Sequence, residues 1–472
     1  MMKHTIRLAA AVLAIATTLG AAEAAKPEPK PTVYTKYVDW QWVPKTIQDN
    51  DSANNVRNQM DFTVPIHGPW LTNPMPDGMT VTWITRVKCA GGIEYREKGT
   101  EEFKRLWFVK YGQIDYSKDL HSFHLTGLKP GTEYEYRLLS NMDHYSTAYH
   151  GVLAVGREIY SFKTLDPKKD KYKVMLNADF HGTARLSLDP LYKGVDGDNC
   201  DMFFFLGDIV EDGPYRDIRY YTTFGFLDDI TRVWGKYKPS IFIRGNHDIN
   251  GRDTYKWGDY FPQPNERTYQ AFRQGPVLFI CIDTMWFSST KLQNEQHMKY
   301  LQEQADWIKA LKKTKDWKDA KFRVVLGHVA PYSGEGDKLV GTYFNEVFSD
   351  DSKNGRIHAY LCGHEHAYWR INARSGETRY QKGLDLSKVK RLFGNTWKEG
   401  HPVKAPYTLV VLHLVEGMTL EVSPEKLIFK SHNWHSVTPD LYDAFEIYPD
   451  GSVKDLIEVP VRPIVFPAKK AK

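Results

Sequence analysis

Between residues 62 and 165 apolar and polar side chains alternate in short runs broken by turn residues. Met79-Thr-Val-Thr-Trp-Ile-Thr85 is one such run, and Pro130-Gly131 stands just before another, Glu133-Tyr-Glu-Tyr-Arg-Leu138. A period of two belongs to strands with one buried face. Trp83 and Tyr134 would be the buried Trp and the corner Tyr of a β-sandwich. Near residue 170 the period changes. The runs 173–177, 202–206, 240–243, 277–282, 322–326 and 357–361 are short and mostly apolar, as strands covered on both faces are. Between them, Tyr300, Leu301, Ala305, Trp307, Ile308 and Leu311 recur at helical spacing, with Lys312-Lys313 near the end. Strand–helix–strand alternation predicts an α/β layered domain. The runs 407–414, 427–430 and 445–451, the last with an Asp-Gly turn, are read as its closing strands. Residues 35–60 are polar and show no clear period.

The longest apolar run precedes all of this. Lys3 and Arg7 lead into residues 8–19, and Ala22-Glu23-Ala24 follows. A charged start, an apolar stretch and small residues at the end describe a secretory signal peptide over 1–24. Glu23 interrupts the run before the roughly 20 residues a membrane span needs. The mature chain is therefore expected to be secreted or periplasmic, with no membrane span. A Pro/Lys linker, Lys26-Pro-Glu-Pro-Lys-Pro31, opens an extension over 25–61. With 42% hydrophobic and 26% charged residues in 472, composition is globular and excludes a disordered chain, a fibre or a multi-span protein. The net charge of +5 is spread along the chain. Its short basic stretches suit solvated turns, so no nucleic acid is expected as a stable partner. Four cysteines are too few for a disulfide scaffold. Cys281 and Cys362 lie in apolar runs and suit buried thiols, while the state of Cys89 and Cys200 stays open.

Chemistry gathers where the apolar runs end. The first leads into Ala178-Asp179-Phe180-His181, the second into Gly207-Asp208, the third into Arg244-Gly245-Asn246-His247-Asp248. Later runs lead into Gly327-His328 and Gly363-His364-Glu365-His366. In α/β sheets sites are built at the carboxyl ends of strands. Imidazole, carboxylate and amide donors without thiolate suit first-row divalent metals. Asp179 and His181 could reach one ion from a single strand end. His364 and His366 could each face a different ion, and Asp208 is placed to bridge. Each piece alone is weak, since a lone strand-end His is more often a hydrogen-bonded structural residue. The ordered set of five is what carries the reading.

In that order the motifs resemble the calcineurin-like metallophosphoesterases. Upstream, Gly68-Pro-Trp-Leu-Thr-Asn-Pro-Met-Pro-Asp-Gly-Met-Thr-Val-Thr-Trp83 resembles the opening of the purple acid phosphatase N-terminal domain, and 62–165 looks like a fibronectin type III-like sandwich. The implied fold is that β-sandwich followed by a four-layer αββα metallophosphoesterase domain over 170–465. The resemblance implies two metal sites, Asp179, His181, Asp208 and His366 for one ion and Asp208, Asn246, His328 and His364 for the other. It implies a phosphate-side role for His247, as charge stabiliser or general acid. Glu211 or Asp248 would orient the His247 ring. Asn246, His247 and Arg185 would contact substrate. Arg244 also lies near the motifs, with a structural role as the alternative.

Two departures from the purple enzymes stand out. Their metal-ligating Tyr, three residues after the bridging Asp, is replaced by Glu211, and His181 supplies a ligand their first motif lacks. The resemblance therefore implies a colourless pair of divalent ions, Mn, Zn or Fe, and hydrolysis of small phosphomonoesters by metal-bound hydroxide. A phosphodiesterase or nucleotide-directed hydrolase on the same site is one alternative. A surface binding protein with a degenerate phosphatase domain is another.

Overall fold

The computed structural model describes residues 65–463, apart from segments 143–151, 182–187, 211–225, 250–253, 285–290, 332–340, 382–404 and 434–439 and positions 157, 376 and 415. The signal peptide, the extension 25–61, Arg185 and Glu211 lie outside the described residues.

The N-terminal domain consists of β1 (Pro65–Met75), β2 (Gly78–Glu97), β3 (Lys104–Trp107), β4 (Val109–Lys110), β5 (Gln113–Ile114), β6 (Lys118–Leu125), β7 (Glu133–Met142), β8 (Val152–Val155) and β9 (Tyr160–Lys163). β2 is long enough to serve two layers. Its first half pairs with β1 and β6, and past an irregularity between Ile84 and Cys89 its second half pairs with β3 and β7. Leu71, Val81, Trp83, Leu125, Tyr136 and Phe162 form one buried cluster. Trp83 stacks on Phe123 within it, with ring centroids 5.6 Å apart. The Tyr134 hydroxyl accepts the Lys129 N–H at 2.9 Å, which ties the β6–β7 turn to the strand as a corner tyrosine does. Both sequence expectations hold.

The second domain runs through β10 (Tyr172–Asn177), α1 (Asp189–Gly194), β11 (Met202–Leu206), β12 (Ser240–Ile243), β13 (Gln270–Gln274), β14 (Val277–Cys281), α2 (Lys291–Leu311), β15 (Phe322–Leu326), α3 (Thr342–Phe348) and β16 (Ala359–Cys362). It continues with β17 (Trp369–Ile371), β18 (Glu377–Tyr380), β19 (Thr408–Val411), β20 (Gly417–Val422), β21 (Leu427–Asn433), β22 (Asp440–Ile447), β23 (Val453–Asp455) and β24 (Val461–Pro463). One sheet has the order β12-β11-β10-β20-β21-β22-β23, the other β13-β14-β15-β16-β19-β17-β18-β24. β10, β11 and β12 are mutually parallel, as are β14, β15, β16 and β19.

The two sheets face each other across Val174, Phe204, Leu420, Phe279, Val324 and Leu361. The outer face of the second sheet is covered by Leu301, Ala305 and Ile308 of α2 and Phe344 and Phe348 of α3. That of the first sheet is covered by Leu191 of α1, Trp234 and, from the sandwich, Trp70 and Ile84. This is a helix–sheet–sheet–helix stack, and it explains the mostly apolar runs. Phe204 points inward while Phe203 and Phe205 point outward, and all three are buried, each contributing about 1.5–3 kcal/mol. The sandwich is bonded to this layer as well, since the Trp70 indole N–H donates to the Tyr260 carbonyl at 3.0 Å.

Strands β13, β17, β18, β20, β23 and β24 lie outside the runs that the sequence pattern marks, and the run 357–361 becomes strand only from Ala359. The closing strands divide between the sheets: β19 lies beside β16, whereas β20 lies beside β10. A buried ion pair spans the sheets here. Arg370 of β17 donates from Nε to Asp443 Oδ2 of β22 at 2.8 Å, and the Tyr368 hydroxyl donates to the same oxygen at 2.5 Å. All four cysteines are buried and free.

Candidate metal centre

The carboxyl ends of β10, β11 and β12 in one sheet meet those of β15 and β16 in the other. Asp179, His181, Asp208, His364 and His366 all have positive φ, between 48° and 74°. Left-handed backbone is uncommon for residues with a side chain, though less so for Asp and His, and costs of order 1–3 kcal/mol each. The chain turns back on itself at each of these positions, so the side chains converge instead of continuing along the strand.

Convergence requires close packing around the ligands. Gly245 has no room for a Cβ, which would lie 2.3 Å from both the amide nitrogen and Oδ1 of Asp208. At Gly363 a Cβ would lie 2.4 Å from Asp179 Oδ2. The glycines of Gly-Asn-His-Asp and Gly-His-x-His thus let one strand end close over the ligand of another.

The donor atoms form two groups that share Asp208: Asp179, His181, Asp208 and His366, and Asp208, His328 and His364. In the first, His181 Nε2 and His366 Nε2 face each other at 2.8 Å, His181 Nε2 is 3.8 Å from Asp208 Oδ2, and His366 Nε2 is 3.6 Å from Asp179 Oδ1. In the second, His328 Nε2 is 3.2 Å from Asp208 Oδ2 and 3.1 Å from Asn246 Oδ1, which is 2.7 Å from His364 Nδ1. Asn246 therefore joins the second group. Donors bound about 2.0–2.2 Å from a common ion stand roughly 3 Å apart, so both groups have the spacing of coordination shells.

The tautomers point the same way. His328 Nδ1 donates to the Leu206 carbonyl at 2.7 Å, so that nitrogen carries the proton. Its Nε2 then faces two oxygen acceptors and needs a cation between them, either a proton or a metal. Burial works against a charged imidazole, but the Asp208 carboxylate outweighs it and holds His328 up to about 10. Burial likewise opposes charge on Asp208, yet His328 keeps this carboxyl well below its ordinary value. Burial pushes Asp179 up to about 7 and His181 down to about 4. A divalent cation in place of the His328 Nε2 proton would satisfy these buried carboxylates and imidazoles at once.

Several bonds fix the ligands. The His364 N–H donates to both Asp179 oxygens at 3.0 Å, and the His247 N–H donates to Asp208 Oδ1 at 2.8 Å. The latter leaves Asp208 Oδ2 facing both groups. The His247 ring lies edge-on to the His181 ring, centroids 4.6 Å apart, outside both donor groups. Asp248 is buried and accepts the backbone N–H groups of Ile209, Val210 and Gly245 at 2.8–3.0 Å. It clamps the turn after β11 to the turn after β12, a duty to the backbone that the sequence reading did not consider. Arg244 pairs with buried Asp283 at 2.7 Å, which favours the structural alternative for that residue.

Asp283 and Thr284 belong to none of the strand-end motifs marked in the sequence. They end β14 just as the ligands end their strands, but without a histidine to draw attention. Thr284 Oγ1 accepts the N–H of His328 at 3.1 Å and of Val329 at 2.9 Å, and Gln304 on α2 holds Asp283 through both its N–H and its carbonyl. Thr284→Val keeps the shape and removes the acceptor. Metal affinity of the second group is expected to fall about 10–100-fold, the usual effect of losing a ligand's supporting bond, with the first group unchanged. Metal titration of the apoprotein would show two equal sites if this is wrong.

The sequence pattern of the calcineurin-like phosphoesterase family matches residues 172–368, and that of the purple acid phosphatase N-terminal domain matches 67–164. No curated protein matches the chain. Among solved structures, that of PhoD superposes with a TM-score of 0.56 at 11% identity, over 84% of this chain and 92% of that one. Purple acid phosphatase PPD1 from yellow lupin (Lupinus luteus) seeds superposes with a TM-score of 0.50 at 16% identity, over 82% of this chain and 75% of that one. At such identities the likeness is one of fold. The family patterns and the motifs together identify residues 172–368 as a calcineurin-like phosphoesterase domain behind a purple acid phosphatase N-terminal domain, and the chain as a metal-dependent phosphoric ester hydrolase.

Proposed function

We propose that the chain is an exported phosphoesterase that hydrolyses small phosphomonoesters using two divalent ions, one in each donor group. The observation that carries this reading is Asp208, whose Oδ2 faces His181 on one side and His328 on the other. A carboxylate shared in this way suits an ion pair about 3.5–4 Å apart. Four imidazoles, two carboxylates and an amide oxygen suit Mn, Zn or ferrous iron. With Glu211 at the position three residues after Asp208, the loaded protein should be colourless. Such ions would acidify a water and neutralise phosphoryl charge.

The chain's own residues supply the rest. Asn246, which lies 2.7 Å from His364 Nδ1 through its Oδ1, would contact the phosphate. His247 donates its backbone N–H to Asp208 and lies with its ring edge-on to that of His181, and it would protonate the leaving alkoxide. Attack by water at phosphorus needs no nucleophilic side chain, so no covalent enzyme intermediate forms. His247→Ala is expected to keep its metal and slow turnover about 10²–10⁴-fold, the range for a lost acid–base group. Loss of metal in that variant would reassign His247 as a ligand.

The deciding experiment is metal analysis of protein purified without chelator, followed by assays with p-nitrophenyl phosphate and bis-p-nitrophenyl phosphate. About two first-row metals per chain, with turnover abolished by EDTA and restored by Mn or Zn, is the expected result. Faster cleavage of the diester would move the assignment to a phosphodiesterase. Neither metal nor turnover after reconstitution would favour a binding protein. Export rests on residues 1–24, and fractionation of expressing cells checks it.

A further inference from the structure

Of the fourteen large apolar side chains that stand exposed among the described residues, five fall within residues 106–114: Leu106, Phe108, Val109, Tyr111 and Ile114. They sit on and beside the β4–β5 hairpin, where Val109 pairs with Ile114 and Lys110 with Gln113. Its two-residue turn is Tyr111-Gly112, with φ of 53° and 75°. Positive φ at both central positions makes a tight turn that normally takes Asn, Asp or Gly first, because a large side chain is strained there. Here the position holds a tyrosine that is 93% exposed, beside Val109 at 55%. No packing within the fold accounts for an aromatic ring at a strained tip.

The surroundings of the tip are cationic. A shallow groove beside the hairpin is lined by Arg86, Lys88, Lys110 and Lys118. Arg86, Lys88 and Lys110 are exposed and make no ion pair among the described residues. The Lys110 ammonium stands 5.3 Å from the Tyr111 ring centroid and that of Lys118 4.1 Å from the Phe108 ring. Both carry their charge above an aromatic face, as lysines at a membrane interface do. The groove also holds two acids, Asp115 and Asp119, against these four cations. Asp115 accepts the Ser117 N–H and hydroxyl and lies 3.9 Å from Lys118.

We infer that the β4–β5 hairpin docks the protein on an anionic bilayer surface, with Tyr111 and Val109 entering the headgroup layer while Arg86, Lys88 and Lys110 face lipid phosphates. A narrow apolar tip with a basic rim fits this occupant. A stable protein interface needs about 800 Å² on each side, far more than one two-residue turn presents. Polybasic patches draw proteins to acidic lipids, and interfacial aromatics anchor them. No helix among the described residues is long and apolar enough to cross a membrane, so the contact would be peripheral.

Co-sedimentation of the full chain with vesicles tests the proposal. Binding is expected to vesicles that are one-third phosphatidylglycerol, to weaken in high salt, and to be absent from phosphatidylcholine alone. Tyr111→Ser with Val109→Ser, and separately Lys88→Glu with Lys110→Glu, should each lower binding about tenfold or more. Both pairs lie on exposed positions outside both donor groups and should retain metal content and p-nitrophenyl phosphate turnover. Failure to bind at low salt, or equal binding to neutral and anionic vesicles, would overturn the proposal. A vesicle-independent dimer that Tyr111→Ser with Val109→Ser dissolves would overturn it in favour of self-association.

Discussion

Asp208→Asn is expected to strip both metals together and bring turnover to near the uncatalysed background. The substitution keeps the side-chain shape, so the bond from the His247 N–H can persist, but it removes the one negative charge common to both donor groups. His328 then loses the carboxylate that outweighs its burial, and its Nε2 is left facing an amide. His181 and His366 keep only Asp179 as an anionic neighbour, and desolvation already discourages charge on that acid. One buried carboxylate is a poor counterion for a divalent ion. Metal analysis of this variant, beside the thermal transition of its apoprotein, separates lost binding from lost fold. Retention of one tightly held metal would show that the groups load independently and that Asp208 does not bridge.

Gly245→Ala should be nearly as damaging, although it touches no donor atom by design. Its Cβ would overlap the Asp208 amide nitrogen and Oδ1 at 2.3 Å, and neither can yield alone. The amide belongs to a residue at φ 51° whose carbonyl accepts the His181 N–H, while Oδ1 accepts the His247 N–H. Relief must displace the bridge, the candidate acid and a first-group ligand together. Overpacking of this kind costs about 1–3 kcal/mol, and ångström shifts in a site commonly cost about 10²-fold in rate. A lowered melting temperature with substoichiometric metal is the expected pair of readings. An alanine variant with wild-type metal content and stability would mean that the two turns are looser than their packing implies.

The sequence made the ligands legible because each follows a short, mostly apolar run, as strands covered on both faces produce. Phe203, Phe204 and Phe205 announce β11 in that way, and Asp208 follows. Asp283 and Thr284 follow β14 just as directly, but hydroxyl and carboxylate groups at a strand end are common, and their duty toward His328 and Arg244 depends on partners at distant positions. Asp248 was expected, as the alternative to Glu211, to orient the His247 ring. Its carboxylate accepts the backbone N–H groups of Ile209, Val210 and Gly245, and two of those lie in another loop, a duty that no local pattern signals. β20 escaped because its six residues, Gly417–Val422, include Gly, Thr and Glu. Its identity as the neighbour of β10 is a matter of non-local pairing that no local pattern encodes.

That pairing governs when the site can exist at all. β10 leads into Asp179 and His181, yet one of its two edges is closed by β20, and Asn177 at its end donates to the Glu416 carbonyl across 239 positions. β16, which leads to His364 and His366, depends likewise on β19. A chain still emerging from the ribosome or a translocation channel has synthesised its ligands long before it can arrange them. Contacts so distant in sequence form late in folding. Ion capture is thereby postponed until the last strands arrive, and the choice among competing metals passes to the free-ion pool of whichever compartment folding finishes in.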